Sequence, residues 1–287
     1  MMLTGIHINW TKPSVVRGAK QYVMEEHELL TTVLSALMWK KHYGSMVLYT
    51  DEIGRAYYER IGYLPLWDEV RPLIVPESVS AVSYWAAGKL YALNDVKGEV
   101  CMIDTDFILW EKLPLDASLT VAHYEPVGNH IYPPELSYYQ TDFAEFYELD
   151  RTAPACNTAF CCFRDEAFRR MYLDAAFAFM EGSAPGNNTL QYMVCAEQRL
   201  LGMLARREGI APAVLLDEQN LTTQRICTHT WGFKSTMRMD ESKRRSYCVR
   251  LSRRIAAESP EWADRCRQVE VLYPYFHAAE PAVPLRG

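Results

Sequence analysis

Two aspartates one residue apart, Asp104 and Asp106, follow the apolar run 100–103 and precede a second apolar run, 107–110. Side chains of an extended chain alternate with period two, so both carboxylates of Asp104-Thr105-Asp106 point the same way and reach one cation. Carboxylate oxygens are hard ligands and suit magnesium, manganese or calcium. An ion held there neutralises a diphosphate and, as a Lewis acid, helps it leave. Most Asp-x-Asp triplets are solvated turns or helix caps. Its place between two apolar runs sets this one apart.

A second unusual segment is Thr228-His229-Thr230-Trp231-Gly232-Phe233-Lys234. A neutral imidazole ligates manganese-class ions. Glycine at 232 lets backbone approach a ligand closely. Lys234 supplies a compact charge for a phosphate. Alone, the segment reads as a loop with a histidine, an aromatic anchor and a surface lysine. Beside the acidic pair it supplies a third metal ligand and a cation.

These groups need a scaffold. Strand patterns at 3–10, 45–50, 99–104, 118–124, 158–163 and 213–216 alternate with helical patterns at about 17–43, 51–62, 80 or 83 to 93, 165–180 and 189–209. Thr50 is a candidate cap for the helix opening at Asp51. This alternation predicts an α/β fold with a mostly parallel sheet covered on both faces. Ligands of such sheets bind beyond the carboxyl ends of strands, where Asp104 lies.

At this point the chain resembles a family. The strand-DxD-strand element and the later His229-x-x-Gly232-x-Lys234 resemble the GT-A glycosyltransferases, in particular the DxD enzymes similar to glycogenin and the bacterial lipopolysaccharide galactosyltransferases. The family's element is HxxGxxK, and this chain is one residue short between glycine and lysine. Asn157-Thr158-Ala159 resembles the family's Asn-Ser-Gly, and Glu197-Gln198 its Asp-Gln. The four elements come in the family's order, over about residues 3–235.

The resemblance implies a GT-A (Rossmann-like) domain over 1–240 with a helical tail over 241–287. It implies a nucleoside diphosphate-sugar donor, usually UDP-linked, and a manganese or magnesium cofactor. Asp104, Asp106 and His229 are then the metal ligands, with Asp104 also a candidate for the ribose. Glu197 and Gln198 lie under the reacting carbon, and Asn157 and Thr158 near the sugar. Lys89, Trp10, Thr11, Gly232 and Lys234 face the nucleotide or its diphosphate. For Lys89 an exposed helix lysine, and for Trp10 core packing, are the plainer roles. Asp51 reads first as a cap. A glycan or glycolipid is the expected acceptor, and the aromatic loop 125–139 with Tyr124, Tyr132, Tyr138 and Tyr139, flanked by His123 and His130, is a candidate platform for it.

Two other classes stay open. Haloacid-dehalogenase-like phosphatases also place DxD after an apolar strand, with the first aspartate as nucleophile. Their usual Thr or Val is Ile108 here, and no second acidic pair follows a late strand. The third reading is a carbohydrate-binding protein of the same fold without activity.

Composition narrows the field. The 287 residues are 49% hydrophobic, enough for a sizeable core, and carry a net charge of −6. That balance excludes a general nucleic-acid binder. No run approaches the roughly 18 apolar residues of a membrane span, and the N-terminus lacks a signal-peptide pattern. A cytoplasmic protein with free thiols at its eight cysteines is expected. The basic tail KRRSYCVRLSRR is a candidate for peripheral contact at the inner face of a membrane, docking onto the domain being the simpler role.

Overall fold

The computed structural model describes residues 3–217, 223–230 and 232–277. Trp231 and the last ten residues of the tail lie outside them.

Among the described residues nine strands form two sheets. They are β1 (Thr4–Asn9), β2 (Met46–Thr50), β3 (Glu69–Pro72), β4 (Val100–Ile103), β5 (Phe107–Leu109), β6 (Leu119–Glu125), β7 (Ala155–Phe163), β8 (Ala213–Val214) and β9 (Cys227–His229). The large sheet has the order β3-β2-β1-β4-β7-β6-β8, and β5 pairs with β9 apart from it. Only β7 runs against its neighbours, β4 and β6. The fold is therefore the expected mixed, mostly parallel α/β sheet flanked by helices, with a helical C-terminal tail.

Central strands are apolar on both faces because helices cover both. β2, β4 and β7 are buried throughout. On one face Val47, Tyr49, Val100, Met102, Cys161 and Phe163 join one core. That core is covered by α4 (Ala87–Asp95), α5 (Glu166–Glu181) and α7 (Leu200–Arg207), whose Leu90, Leu173 and Leu204 belong to it. On the other, Met46, Leu48, Cys101, Ile103, Phe160 and Cys162 join a second core with α2 (Glu26–Tyr43) and α9 (Glu241–Glu258). The period-two alternation of the strands thus builds two cores from one sheet.

Some boundaries differ from the expected ones. Helical structure at the start is broken into α1 (Lys12–Val16) and α2, because Gly18 turns the chain at φ 95° and a Glu25–Glu28 capping box starts α2. Asp51, not Thr50, caps α3 (Glu52–Arg60): it accepts the Gly54 N–H, while the Thr50 hydroxyl donates to the Asn9 carbonyl. α4 starts only at Ala87, after turns over 80–86. Cys101 and Cys162 oppose each other on β4 and β7 and are paired as a disulfide, against the expectation of free thiols; the other six cysteines are free.

After β7 comes α5, capped by Asp165. α6 (Thr189–Val194) runs through a π-helical turn, Cys195–Arg199, into α7. After β9 come α8 (Phe233–Met239), α9, α10 (Pro260–Arg267) and α11 (Tyr273–His277). The apolar face of α9, with Tyr247, Cys248, Leu251 and Ile255, is buried in the second core beside α2. That face is therefore taken up by the protein itself. Among the described residues no helix is long and apolar enough to cross a membrane.

Candidate functional site

Strand pairing unites the two halves of the acid–histidine set. β5 starts directly after Asp106 and pairs antiparallel with β9, so Phe107 faces His229. Thr230 donates its N–H to the Asp106 carbonyl (3.3 Å) and its hydroxyl to Asp106 Oδ2 (3.1 Å). Asp104 is fixed from the other side: its N–H donates to the Ala159 carbonyl of β7, and its carbonyl accepts from Phe107 N–H. One ligand atom each of Asp104, Asp106 and His229 then lies within 4.8 Å of the others.

Two lysines sit on the two aspartates. Lys89, on α4, places Nζ 2.7 Å from Asp104 Oδ1 and 2.8 Å from Glu197 Oε1. Lys234, in the first turn of α8, places Nζ 2.8 Å from Asp106 Oδ2. Burial pushes the Asp104 carboxyl up to about 6, against the pull of Lys89 and with the charges of Asp106 and Glu197 adding to the rise. Burial works the same way at Asp106, but Lys234, His229 and the Thr230 hydroxyl outweigh it and hold that carboxyl below its usual range. Burial draws His229 down to about 4, with Lys234 and Lys89 adding and Asp106 opposing. His229 is thus neutral at pH 7 and offers a lone pair. Two carboxylates and a neutral imidazole suit a manganese-class divalent ion, so the residues present fit the expected metal.

The set opens on a cavity of about 260 Å³ whose lining includes Lys89, Asp104, Asp106, His229 and Lys234 together with Glu125, Tyr132, Asn157, Glu197 and Gln198. A second cavity of about 310 Å³ shares Trp85, Lys89, Asp104, Asp106 and Lys234 with it and adds Asn9, Trp10 and Gly88. Gly88 is needed where it stands: a Cβ there would lie 2.9 Å from Trp10 Cβ and 3.0 Å from Leu73 Cδ2.

Glu197 and Gln198 come from the π-helical turn. Such turns shift side chains relative to a regular helix and are common at functional sites. Glu197 is 1% exposed; besides Lys89, its carboxylate accepts the Thr158 hydroxyl at 2.6 Å. Its carbonyl accepts the Tyr172 hydroxyl. Gln198 accepts a hydrogen bond from the Tyr132 hydroxyl. The register of β6 against β7 shifts between Val121 and His123. On β7 this irregularity spans 158–160, so Thr158 lies within it, directly after Asn157, which pairs with His123. Asn157 Nδ2 donates to Glu125 Oε1 at 3.1 Å.

The structure brings Lys89, Asp104, Asp106, Asn157, Glu197, Gln198, His229 and Lys234 to one cavity, with Trp10 in the adjoining one. Thr158 reaches this group through Glu197. Thr11 is turned elsewhere: its N–H and hydroxyl both donate to Asp51. Gly232 has φ −74°, and a Cβ there would meet nothing within 4 Å among the described residues beyond its chain neighbours, so none of these requires a glycine. Tyr139, expected in an acceptor platform, is fully buried against Phe146, Phe179 and Tyr192. Tyr132 is the loop tyrosine that lines the cavity.

Sequence reasoning missed Glu125, Trp85 and Thr230. Glu125 ends β6, and the rule that ligands sit beyond strand ends is the signal that could have found it. Thr230 was hidden because its role exists only once β9 pairs with β5.

Comparison with solved structures finds distant likenesses. Mouse xyloside xylosyltransferase 1 in its apo form is 9% identical, covering 74% of this chain and 84% of that chain, with a TM-score of 0.41. A nucleoside-diphosphate-sugar pyrophosphorylase from Vibrio cholerae RC9 is 13% identical, covering 74% and 91%, with a TM-score of 0.39. The inositol-1-phosphate CTP transferase from T. maritima is 10% identical, covering 74% and 84%, with a TM-score of 0.38. Scores of this size do not bear on what this chain does. No curated protein matches. A family model does match, over residues 6–269, and by that match the chain belongs to the family of unknown function DUF6734.

Proposed function

We propose that this chain is a metal-dependent glycosyltransferase that moves a sugar from a nucleoside diphosphate-sugar, UDP-linked in our reading, to a glycan or glycolipid. One observation carries the proposal. Asp104, Asp106 and His229 form a cluster of metal-ligand type flanked by two lysines, on a cavity that also holds Asn157, Glu197 and Gln198.

In this reading Asp106 and His229 ligate manganese or magnesium directly, and Asp104 meets the metal or the ribose. The metal supplies Lewis-acid stabilisation of the departing diphosphate. Lys234 offsets the negative charge that develops as the donor bond breaks, a large term in such departures. Lys89 holds Asp104 and Glu197 in place and faces the diphosphate. Trp10 borders the nucleotide end. Glu197 and Gln198 lie under the anomeric carbon, with Asn157 orienting sugar hydroxyls and Thr158 orienting Glu197. Glu125 stands at the acceptor side. The phosphatase alternative asks Asp104 to attack phosphorus, but the Lys89 ammonium 2.7 Å from its Oδ1 already engages the carboxylate that would have to attack.

Titration calorimetry of UDP with manganese tests the reading. Wild type is expected to bind UDP more tightly with the metal present, and Asp106→Asn to lose that gain. Equal binding by both proteins, with and without manganese, would sink it.

A further inference from the structure

The two carboxylates that the proposed metal uses already carry counter-ions. Lys89 is shared between Asp104 and Glu197, at 2.7 and 2.8 Å. Lys234 pairs with Asp106 Oδ2 at 2.8 Å, and the His229 Nε2 lies 3.9 Å from the same oxygen. The lysines differ in freedom. The Lys89 side chain is 19% exposed and tied to two acids; that of Lys234 is 36% exposed and tied to one.

We infer that Lys234 and the divalent metal exchange places on Asp106, so that the protein takes its metal as a metal–nucleoside diphosphate complex rather than as the free ion. The inference rests on the glycosyltransferase reading and deepens it.

Charge balance is the first argument. The three acids and two lysines joined by these ion pairs carry one net negative charge when the acids are ionised. A lone dication reverses that sign inside a largely buried cluster, where like charges repel strongly. It must also drive the Lys234 ammonium off Asp106 with no new partner. A diphosphate bridge carrying two negative charges restores the original balance and accepts the displaced ammonium. Lys234 lines both cavities, so a phosphate next to the metal lies within its swing.

Helix anchoring is the second argument. α8 does not depend on Lys234 for its position. Arg238, one turn further on, places Nε 3.0 Å from Glu25 Oε1 and Nη2 3.7 Å from Glu28 Oε1 at the start of α2. The side chain of Lys234 can therefore change partners while its helix stays docked.

The test measures free manganese by electron paramagnetic resonance at pH 7.5, using the full chain, with and without UDP. Manganese and UDP associate in solution, so tighter joint binding by wild type is shared with other metal–nucleotide sites. The deciding quantity is the affinity for manganese alone. Lys234→Met is expected to bind manganese alone about tenfold more tightly than wild type, and its gain on adding UDP to shrink by a similar factor, a coupling of ordinary size. Lys234→Arg keeps the charge and is expected to behave as wild type. Lys234→Gln is the second neutral variant, should the methionine protein fail to fold. Neutral variants that bind manganese alone no more tightly than wild type overturn the exchange, while joint binding by wild type leaves the glycosyltransferase reading intact. No joint binding by wild type overturns both.

Discussion

At the scale of single residues, the site is a balance of buried charge. Lys89 is the cation common to Asp104 and Glu197, and removing it leaves two acids short of a partner. Breaking a buried pair from one side costs about 3–5 kcal/mol. Lys89→Met is therefore expected to lose about 3 kcal/mol at pH 7.5 in urea denaturation. The sign with pH follows from Asp104. Its carboxyl is already raised to about 6, and losing Lys89 removes the strongest influence holding it down. At pH 5 the acid is protonated and needs no counter-charge, so the deficit shrinks. A deficit equal at the two pH values would show that Lys89 acts only through packing.

In the proposed function Asp106 and His229 have a different role, because each would give the metal a ligand atom. Asp106→Asn and His229→Ala are each expected to lower kcat/KM for a sugar donor by about 100-fold or more, the usual size for removing a charge-stabilising group. The comparison that checks this is donor turnover at saturating manganese, with the near-ultraviolet circular dichroism of each variant unchanged.

Elements position these residues through backbone contacts. The β5–β9 pair joins the DxD turn to the histidine, and the Thr230 hydroxyl seals it on Asp106. Thr230→Val keeps the shape and removes that hydrogen bond. It is expected to cost about 1 kcal/mol of stability and to weaken manganese–UDP binding, because Asp106 loses its orientation. Unchanged binding, measured by calorimetry, would show that the ladder alone orients the acid. α7 approaches β7 closely at Gly202, where a Cβ would lie 2.0 Å from the Pro154 carbonyl oxygen. Gly202→Ala must push helix and loop apart, and a loss of about 1–3 kcal/mol is expected from such overpacking. The same helix carries the π-helical turn with Glu197 and Gln198, so donor turnover should fall with it. A variant as stable as wild type by urea denaturation would count against this packing argument.

Across the whole molecule, buried histidines set the response to acid. Burial draws His7 down to about 3 and His229 to about 4, and it lowers His27 as well. Unfolded histidines take up protons near pH 6.5 that these folded ones refuse. That contribution to stability is complete above about pH 6.5 and is lost as the pH falls towards the folded values. Asp104 works in the opposite direction: its folded carboxyl binds a proton below about 6 that the unfolded chain refuses down to its ordinary range. His7 and His229 together outweigh it by one proton between about pH 6 and 4, and His27 adds to the loss. The net slope is about 1.4 kcal/mol or more per pH unit. Urea midpoints at pH 7.5, 6 and 5 should fall in that order, and less steeply in His7→Gln. A flat profile would mean that the histidines are protonated in the folded protein.

The sequence by itself determined strands β1, β2, β4, β6, β7 and β8, but not β3 or β9. Met46, Leu48, Val100 and Met102 lie in short apolar runs that a sheet covered on both sides buries, and the packing of the helices decides which core each joins. The sequence did not determine the direction of the Asp104 and Asp106 carboxylates: the triplet expected to be extended is a turn between β4 and β5, closed by Phe107 N–H on the Asp104 carbonyl. Helix starts were less legible. The capping box at Glu25 and the turns before Ala87 interrupt helical periodicity without a break in composition. Only the tertiary structure decided what Asp104 and Asp106 face. The pairing of β5 with β9, the approach of Lys89 and Glu197, and the burial of Tyr139 all join residues far apart in the chain. Such contacts depend on loop closure and packing, which leave no periodic trace in the residues they bring together.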